Sequence, residues 1–289
     1  MPASEFAPAK VNLFLHVGPP GADGYHPIAS LMVFADVGDR LDLRSASEMS
    51  FRMTGPFAED LAGEGENLVT RARDAVLAIA GHVKRPFELI LEKALPVASG
   101  LGGGSADAAA ALRLVAGEIG LAADLSGIAA GLGSDVPACL MGAPVVATGR
   151  GEKLGPPPKF PALDAVLVNP GIASPTASVY REYDRRPNPA GADPPVASSQ
   201  FSSSRHIIDF LGECRNDLED PAIRLAPAIG DVLARLRRAP QTLLARMSGS
   251  GATCFALCPG DATALDLERR LVELEPTWWV RRCRFGASR

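Results

Sequence analysis

One glycine-rich stretch constrains this chain more than any other feature: Pro96–Ser105, which reads PVASGLGGGS. An apolar run that predicts a strand over Phe87–Glu92 precedes it, and an alanine-rich run that predicts a helix ending at Gly120 follows it. Four of the five positions from Gly100 to Gly104 are glycine, so few Cβ atoms keep a ligand away from the backbone. We interpret the stretch as a phosphate-binding loop, because the first amides and the dipole of a helix attract anions. Ser105 is the predicted N-cap of that helix.

Two better-known glycine motifs do not fit this loop. A P-loop needs Lys and then Ser or Thr after its last glycine, whereas Gly104 is followed by Ser105 and Ala106. The dinucleotide-binding pattern G-x-G-x-x-G fails from either possible start, because Ser105 and Asp107 stand where glycine is required. The remaining alternative is a flexible linker, which the strand before the loop and the helix after it disfavour.

Composition narrows the class of protein. With 289 residues, 47% of them hydrophobic, the chain is long enough for two domains. Its net charge of −4 without a basic stripe argues against nucleic acid as the main partner. We find no signal peptide and no apolar run of the ~18 residues that a membrane helix needs, so we expect a cytoplasmic protein without a membrane partner. The five cysteines fit no metal-binding spacing, and we assign them no metal or redox role.

Two places near the N-terminus combine polar side chains with a defined backbone. Lys10 and Asn12 share one face of a strand predicted over Lys10–Val17, although a solvated strand end is the commoner position for a lysine. Tyr25 and His26 lie between a turn-rich segment and the next apolar run, where an aromatic ring beside a histidine suits a planar ligand. A packed tyrosine beside a surface histidine is the alternative interpretation.

A third candidate is Asp135, in the sequence Gly133-Ser134-Asp135-Val136-Pro137. Glycine and proline fix the backbone on both sides of the aspartate, which we expect at the start of a strand. A catalytic base benefits from such rigidity. The alternative is an aspartate that only forms a turn or caps a helix.

The chain is predicted to form two domains, 1–155 and 160–289, joined by a linker over Gly149–Lys159. In the first, Asn67 is the predicted cap of a helix that ends near Gly81. In the second, Ser174 is the predicted cap of a helix with Pro175 at its first position, and Pro221–Arg238 is predicted as one helix. Its main elements follow the order β-α-β-β-α-β, which is the ferredoxin-like arrangement.

Three segments, in order along the chain, resemble the motifs of the GHMP kinase superfamily: Ala7–Leu13, Pro96–Ala109 and Met247–Phe255. Further segments resemble the member of that superfamily that acts in the non-mevalonate isoprenoid pathway: Asp23–His26, Gly133–Pro137, Pro175-Thr176 and Asn216–Glu219. The resemblance implies a two-domain α+β fold, with a ribosomal-protein-S5-like N-terminal domain and a ferredoxin-like C-terminal domain.

The resemblance also implies an activity, namely transfer of the γ-phosphoryl group of ATP, accompanied by Mg²⁺, to the 2-hydroxyl of cytidine diphosphate methylerythritol. Asp135 would accept the hydroxyl proton, and Lys10 would lie beside it and stabilise the developing charge. The implied ATP-binding residues are Pro96, Ser99, Gly100, Leu101, Gly102, Gly103, Gly104 and Ser105, with Asn67 near the adenine. The implied substrate-binding residues are Asn12, Tyr25, His26, Thr176, Tyr180 and Gly249. No side chain is assigned to a metal, and we expect a monomer or a weak homodimer.

Two other functions remain open. One is a kinase of the same superfamily that acts on another alcohol, such as mevalonate or homoserine, which the pair Tyr25-His26 disfavours. The other is a non-catalytic nucleotide sensor or an RNA-binding module. The presence of both Lys10 and Asp135, together with the negative net charge, argues against the latter.

Overall fold

The computed structural model describes residues 3–61, 67–80, 85–186, 191–193 and 201–286. Its strands are β1 (Ala3–Val17), β2 (Ile28–Ser45), β3 (Ser50–Thr54), β4 (Phe87–Glu92), β5 (Val145–Gly149), β6 (Lys153–Leu154), β7 (Leu163–Asn169), β8 (Leu244–Met247), β9 (Cys254–Leu257) and β10 (Trp279–Phe285). Its α-helices are α1 (Leu68–Ala80), α2 (Gly103–Ile119), α3 (Ser126–Leu132), α4 (Val136–Met141), α5 (Thr176–Tyr183), α6 (Ser204–Gly212), α7 (Glu219–Leu225), α8 (Pro227–Arg238) and α9 (Asp261–Leu274).

The chain forms two compact units that alternate along the sequence. The first unit comprises Met1–Ala9, Gly38–Val97 and Gly102–Gly142, and the second comprises Lys10–Val37, Ala98–Leu101 and Ala143–Arg289. These units differ from the sequential ranges 1–155 and 160–289. Chain order alone therefore does not indicate which segments pack together.

The first unit packs α1, α3 and α4 against α2. Most positions of α2 from Ala106 to Leu112 are alanines that are fully buried, and their small side chains let the neighbouring helices approach closely. Asn67 caps α1 as predicted, because its side-chain oxygen accepts the Val69 amide at 2.8 Å. Gly120, with φ 68°, ends α2 as predicted. The predicted end of α1 at Gly81 lies outside the described residues.

The sheet of the first unit is built around β4. This strand pairs with β3 in parallel and with residues 40–45 of β2 in antiparallel orientation. Leu89 and Leu91 of β4 are buried, which fixes the strand that leads into the glycine-rich stretch.

The second unit contains an antiparallel sheet with the strand order β10-β7-β9-β8. Numbered within the unit, this is the order 4-1-3-2 of a ferredoxin-like sheet, as the sequence predicts. Apolar residues of β7, such as Val166 and Val168, pack with Leu267 and Leu271 of α9 in one hydrophobic core. Since β-branched side chains fit a pleated, buried surface, β7 forms the centre of this layer.

One helix prediction in this unit is wrong. Pro221–Arg238 is not a single helix, because α7 ends at Leu225 and α8 begins at Pro227. Pro227 has no N–H and disfavours the helical conformation of the preceding Ala226, which has φ −141° and ψ 83°.

Two further observations concern side chains and helices of the described residues. The five cysteines are all buried, and burial raises the pKa of the Cys258 thiol to about 12. In this part of the chain no helix has the length and apolar character that crossing a membrane requires.

Candidate active site

Lys10 lies at the start of a chain of buried hydrogen bonds in the second unit. Only 4% of its surface is exposed, and its Nζ donates to Asn12 Oδ1 at 2.7 Å. The amide of Asn12 then donates to Ser30 Oγ at 2.7 Å, and Ser30 Oγ donates to the Phe14 carbonyl at 2.7 Å. The alternative of a solvated strand end is therefore wrong for Lys10. The bond to Asn12 fixes the position of the buried ammonium group.

The same unit brings the glycine-rich loop and the C-terminal glycine turn together with this lysine. The Lys10 amide donates to the Leu101 carbonyl at 2.8 Å. Ser248 Oγ accepts the Asn12 amide at 3.1 Å and donates to the Gly100 carbonyl at 2.9 Å. A Cβ on Gly249 would lie 3.2 Å from Asn12 Oδ1 and 3.3 Å from the Gly100 carbonyl oxygen. Residues from three distant motifs are thus joined by direct contacts.

The segment Asn216–Glu219 supports this junction. Asn216 Nδ2 donates to the carbonyls of Met247 and Gly249, at 2.8 and 2.9 Å, and Glu219 Oε2 accepts the Met247 amide at 3.0 Å. Asp217 Oδ2 accepts the Val17 amide of β1 at 2.7 Å. The sequence shows this segment as a motif but indicates no role for its residues. Neither spacing nor periodicity indicates that an asparagine so far along the chain holds the glycine turn.

Thr176 and Ser174 contact the C-terminal glycine turn, and Ser174 also contacts the glycine-rich stretch. Thr176 Oγ1 lies 2.9 Å from Ser250 Oγ, and Ser174 Oγ donates to the Ser250 carbonyl at 2.7 Å. The Ser174 amide donates to the Ala98 carbonyl at 3.1 Å, and the Ser99 carbonyl accepts the Thr253 amide at 2.9 Å. The predicted cap is therefore wrong for Ser174, since Pro175 is the N-cap of α5 and Ser174 bonds the glycine turn instead.

In the first unit, the helix after the glycine-rich loop begins earlier than predicted. Gly102, with φ 61° and ψ 24°, is the N-cap of α2, and Ser105 lies inside its first turn. A left-handed glycine lets the chain turn directly into the helix, so the N-cap assigned to Ser105 is wrong. The amides of Gly103, Gly104 and Ser105 have no acceptor within the helix and carry its positive dipole end, which suits an anion. Pro96, before the loop, is buried in the same unit.

Asp135 also lies in the first unit, half-buried. It is followed by α4, not by a strand as predicted, because Pro137 is tolerated in the first turn of a helix, where its missing N–H has no partner to lose. The carbonyl of Asp135 accepts the Cys139 amide at 3.0 Å, but its carboxylate makes no capping hydrogen bond. Asp135 is thus the N-cap residue of α4, as the helix-cap alternative expects, but without a capping bond from its carboxylate.

The aromatic candidates all lie in the second unit. The rings of His26 and Tyr180 are 5.1 Å apart at an angle of 39°, and His26 also meets the buried Tyr183 edge-on. His26 Nδ1 is 2.8 Å from the Gly18 carbonyl oxygen, and Nε2 is 3.2 Å from Asp184 Oδ1. Both ring nitrogens therefore face protein oxygen atoms.

Tyr25, by contrast, is 58% exposed. The guanidinium of Arg150 lies 3.9 Å from the centre of its ring and forms an ion pair with Asp23. The hydrogen bond from the Tyr25 amide is the largest effect that lowers the pKa of Asp23, and Arg150 lowers this pKa further. An accessible ring held in this way is available to a flat ligand.

Comparisons with known proteins relate this chain to two family models and to curated relatives. Residues 67–143 match the family model described as GHMP kinases N terminal domain, and residues 205–275 match the one described as GHMP kinases C terminal. A 4-diphosphocytidyl-2-C-methyl-D-erythritol kinase of Caulobacter sp. (strain K31) is 56% identical over 285 residues, which cover 97% of each chain. The enzyme of that name in Paracoccus denitrificans (strain Pd 1222) is 47% identical over 277 residues, 96% of this chain and 94% of the relative.

Solved structures extend the comparison. A crystal structure of 4-(cytidine 5'-diphospho)-2C-methyl-D-erythritol kinase has a TM-score of 0.79 and 34% identity, and the match covers 99% of this chain and 100% of that one. The mevalonate kinase of L. major in complex with R-mevalonate has a TM-score of 0.69 and 16% identity, over 99% of this chain and 96% of that one. The second likeness shows a shared fold only.

Proposed function

We infer a phosphoryl-transfer mechanism for this chain, which belongs to the GHMP kinases and, within them, to the 4-diphosphocytidyl-2-C-methyl-D-erythritol kinases. This membership confirms the predicted two-domain α+β fold and the predicted enzyme class, the ATP-dependent kinase of the non-mevalonate isoprenoid pathway. The reaction transfers the γ-phosphoryl group of ATP to the 2-hydroxyl of the cytidyl substrate. The observation that carries the inference is the identity of 56% over 97% of both chains.

Asp135 is the base in this mechanism. Its carboxylate accepts the proton of the 2-hydroxyl as that oxygen attacks the γ-phosphorus. Lys10, fixed by its bond to Asn12, stabilises the negative charge on the transferred group. Phosphoryl transfer depends mostly on positioning and charge, so a rigid backbone at Asp135 and a buried ammonium at Lys10 are the properties required.

ATP supplies the transferred phosphoryl group, and the amides at the start of α2 are proposed to hold its phosphates. Gly100 and Leu101 fix the loop through Ser248 and Lys10, and Pro96, Ser99 and Ser105 complete the proposed site. Asn67 is proposed near the adenine with its Nδ2, which also contacts Met53 Sδ at 3.7 Å, because its side-chain oxygen already caps α1.

Mg²⁺ is proposed as the companion of the ATP phosphates. Among the residues that the structure describes, no group of three or more His, Cys, Asp and Glu side chains could hold a metal ion. We assign Mg²⁺ no side-chain ligand and no step.

The cytidine part of the substrate is proposed to bind between Tyr25 and Tyr180, with Thr176, Gly249 and Asn12 nearby. Because both ring nitrogens of His26 face protein oxygen atoms, only its backbone groups are assigned to the edge of the base. Tyr180 stacks on the His26 ring and would present a supported surface to the cytosine. For the protein as a whole we propose a cytoplasmic location and a monomer or weak homodimer.

Tyr25→Ala should raise KM for the cytidyl substrate roughly 5- to 150-fold, because stacking of a base on an aromatic ring contributes about 1–3 kcal/mol. KM for ATP should stay nearly unchanged, and so should the free energy of unfolding, since the ring is mostly exposed. Steady-state kinetics and urea unfolding measure these quantities. Leu243→Ala, which removes another exposed apolar side chain of the same unit, is the matched control and should change neither KM.

Tyr180→Ala should raise the same KM and also lower stability, because Tyr180 packs on His26. If either variant binds cytidine diphosphate as tightly as wild type in calorimetry, that tyrosine does not contact the base.

The reaction itself is tested with purified protein, ATP, Mg²⁺ and the cytidyl substrate. Mass spectrometry should detect a product with one added phosphoryl group, and phosphorus NMR should place it on the 2-oxygen. Mevalonate and homoserine are the comparison substrates. A kcat/KM for either alcohol equal to that for the cytidyl substrate would refute the assigned specificity.

A further inference from the structure

A buried cluster of charged side chains lies behind the glycine-rich loop in the first unit. It consists of Lys93, which directly follows β4, Asp39 of β2 and Asp107 of α2. Lys93 Nζ donates to Asp107 Oδ2 at 2.7 Å and to Asp39 Oδ2. None of these residues has a role in the mechanism above.

The cluster joins the two ends of the loop. Asp39 Oδ1 accepts the amides of Ala94 and Leu95 at 2.6 and 2.9 Å, which fixes the chain as it enters the loop. Asp107 lies one turn into α2, where the chain has left the loop. The Lys93 ammonium bonds both carboxylates. It therefore fixes the distance between the segment that enters the loop and the helix that leaves it.

The cluster also lies directly against the loop backbone. A Cβ added to Gly103 would be 3.4 Å from Lys93 Nζ and 3.5 Å from Asp39 Oδ2. Gly103 begins α2, whose first amides are the proposed phosphate ligands. Only the loop backbone would separate the cluster from a bound phosphate, and buried surroundings screen charges weakly. A charge in the cluster therefore acts strongly on the phosphate.

We propose that Lys93 and Asp107 are positioning residues of the phosphate-binding loop, and that Asp107 is in its neutral carboxylic acid form when ATP is bound. The proposal rests on the inferred ATP site at the start of α2. With both carboxyls ionised, the cluster carries a net charge of −1 behind the phosphates, whereas a neutral Asp107 removes that repulsion.

The surroundings of Asp107 favour the neutral form. Its Oδ1 is buried and has no hydrogen-bond partner among the described residues, and an unpaired oxygen costs less when it is uncharged. Burial raises the pKa of Asp107 to about 7, Lys93 opposes the rise, and Asp39 adds to it. The helices α1, α3 and α4 pack against α2, and the charged groups that act most strongly on this carboxyl are Lys93 and Asp39 from the sheet side.

The sign of the pH dependence follows from linkage. Because bound phosphate disfavours the ionised form, ATP binding raises the pKa of Asp107 further and takes up a proton above about pH 7. The dissociation constant of ATP should then increase by up to about tenfold per pH unit above that point. A cluster that served only to stabilise the fold would not link ATP binding to a proton.

The test is calorimetry of ATP binding without the cytidyl substrate, from about pH 6 to about pH 8.5, in buffers of different ionisation enthalpy. The variants are Asp107→Asn, which is permanently neutral, and Arg52→Met as the control. Arg52 of β3 is exposed and forms an ion pair with Glu88 of β4, the strand that Lys93 follows. ATP's own ionisation is common to all three proteins, so the difference from wild type isolates the protein's proton.

Asp107→Asn should lose the proton uptake of the protein and the steep rise of the dissociation constant, and Arg52→Met should keep both. The same proton uptake in Asp107→Asn as in wild type would overturn the proposal. The experiment involves no turnover, so it is independent of the proposed reaction. If the protein binds ATP with proton uptake but does not phosphorylate the cytidyl substrate, the reaction is refuted and this inference is not.

Lys93→Met gives a second, kinetic test. It should raise KM for ATP at least about tenfold and leave KM for the cytidyl substrate within a factor of about two, because only the phosphate loop loses its support. If this variant does not fold, the double variant Lys93→Met/Asp107→Asn replaces it. In the double variant Asp39 still accepts the Ala94 and Leu95 amides, and the two KM values are compared in the same way. An equal rise in both KM values contradicts a role in positioning the loop.

Discussion

Asp135→Asn is expected to reduce kcat at least ~10²-fold, because the amide cannot accept the proton of the attacking hydroxyl. The protein should remain folded, because Asn has nearly the same shape as Asp. Lys10→Ala should reduce kcat by a similar factor, at least ~10²-fold, because charge on the transferred group loses its buried cation. Single-turnover kinetics with saturating ATP and cytidyl substrate measure the chemical step directly.

The double variant distinguishes joint action from independent effects. If base and cation act on one transition state, the loss in Asp135→Asn/Lys10→Ala should be smaller than the product of the two single losses. Asp124→Asn removes the same charge from an exposed turn of the same unit and should leave kcat unchanged. Turnover near the wild-type rate in Asp135→Asn would remove that residue from the role of base.

Gly100→Ala should have the largest effect on stability among single methyl additions in the loop. Gly100 has φ +79°, and an added Cβ would lie 2.3 Å from the Ser248 carbonyl oxygen and 3.0 Å from that of Gly251. Strain at a positive φ and overpacking together predict a loss of roughly 2–5 kcal/mol. Urea unfolding measures the loss, and activity should fall with it because Gly100 also accepts the Ser248 hydroxyl.

Gly104→Ala is the matched control in the same loop. Its Cβ would meet only Leu68 Cδ1, at 3.6 Å, and the position is helical. Stability should therefore be kept or rise by about 0.4–1 kcal/mol, as for other glycine-to-alanine changes at compatible positions. Equal destabilisation of the two variants would contradict the assigned contact between Gly100 and the glycine turn.

The parts of the fold that the sequence predicted well depend on local rules. Asn67 caps α1 and Gly120 ends α2, because capping involves residues within one turn of each other. The order of the ferredoxin-like strands followed from hydrophobic periodicity along β7 to β10. The predictions that failed at Ser105, Ser174 and Pro227 were element boundaries, where a glycine or proline conformation moved the start of a helix, whereas at Asp135 the type of element was wrong, a helix in place of a strand.

For the candidate site too, the sequence proposed the residues and only the structure showed their contacts. The sequence alone proposed Lys10, Asp135 and the glycine-rich loop as candidates, and three of its segments resemble the motifs of the GHMP kinases. It could not show that Lys10 is buried against Asn12, that Asn216 holds the glycine turn, or that Tyr180 stacks on His26. Each of these contacts joins side chains whose distance no periodic pattern specifies.

The sequence by itself therefore determined the family resemblance, the candidate residues and most of the elements, because motifs, spacing and turn chemistry act over a few residues. Only the tertiary structure decided their environment. Burial and long-range pairing set whether Asp107 beside Lys93 and Asp39 is neutral or charged, and whether Lys10 is a solvated strand end or a fixed cation. The physical reason is that desolvation and Coulomb interactions depend on distances in space, which segments from separate parts of the chain establish only when they pack together.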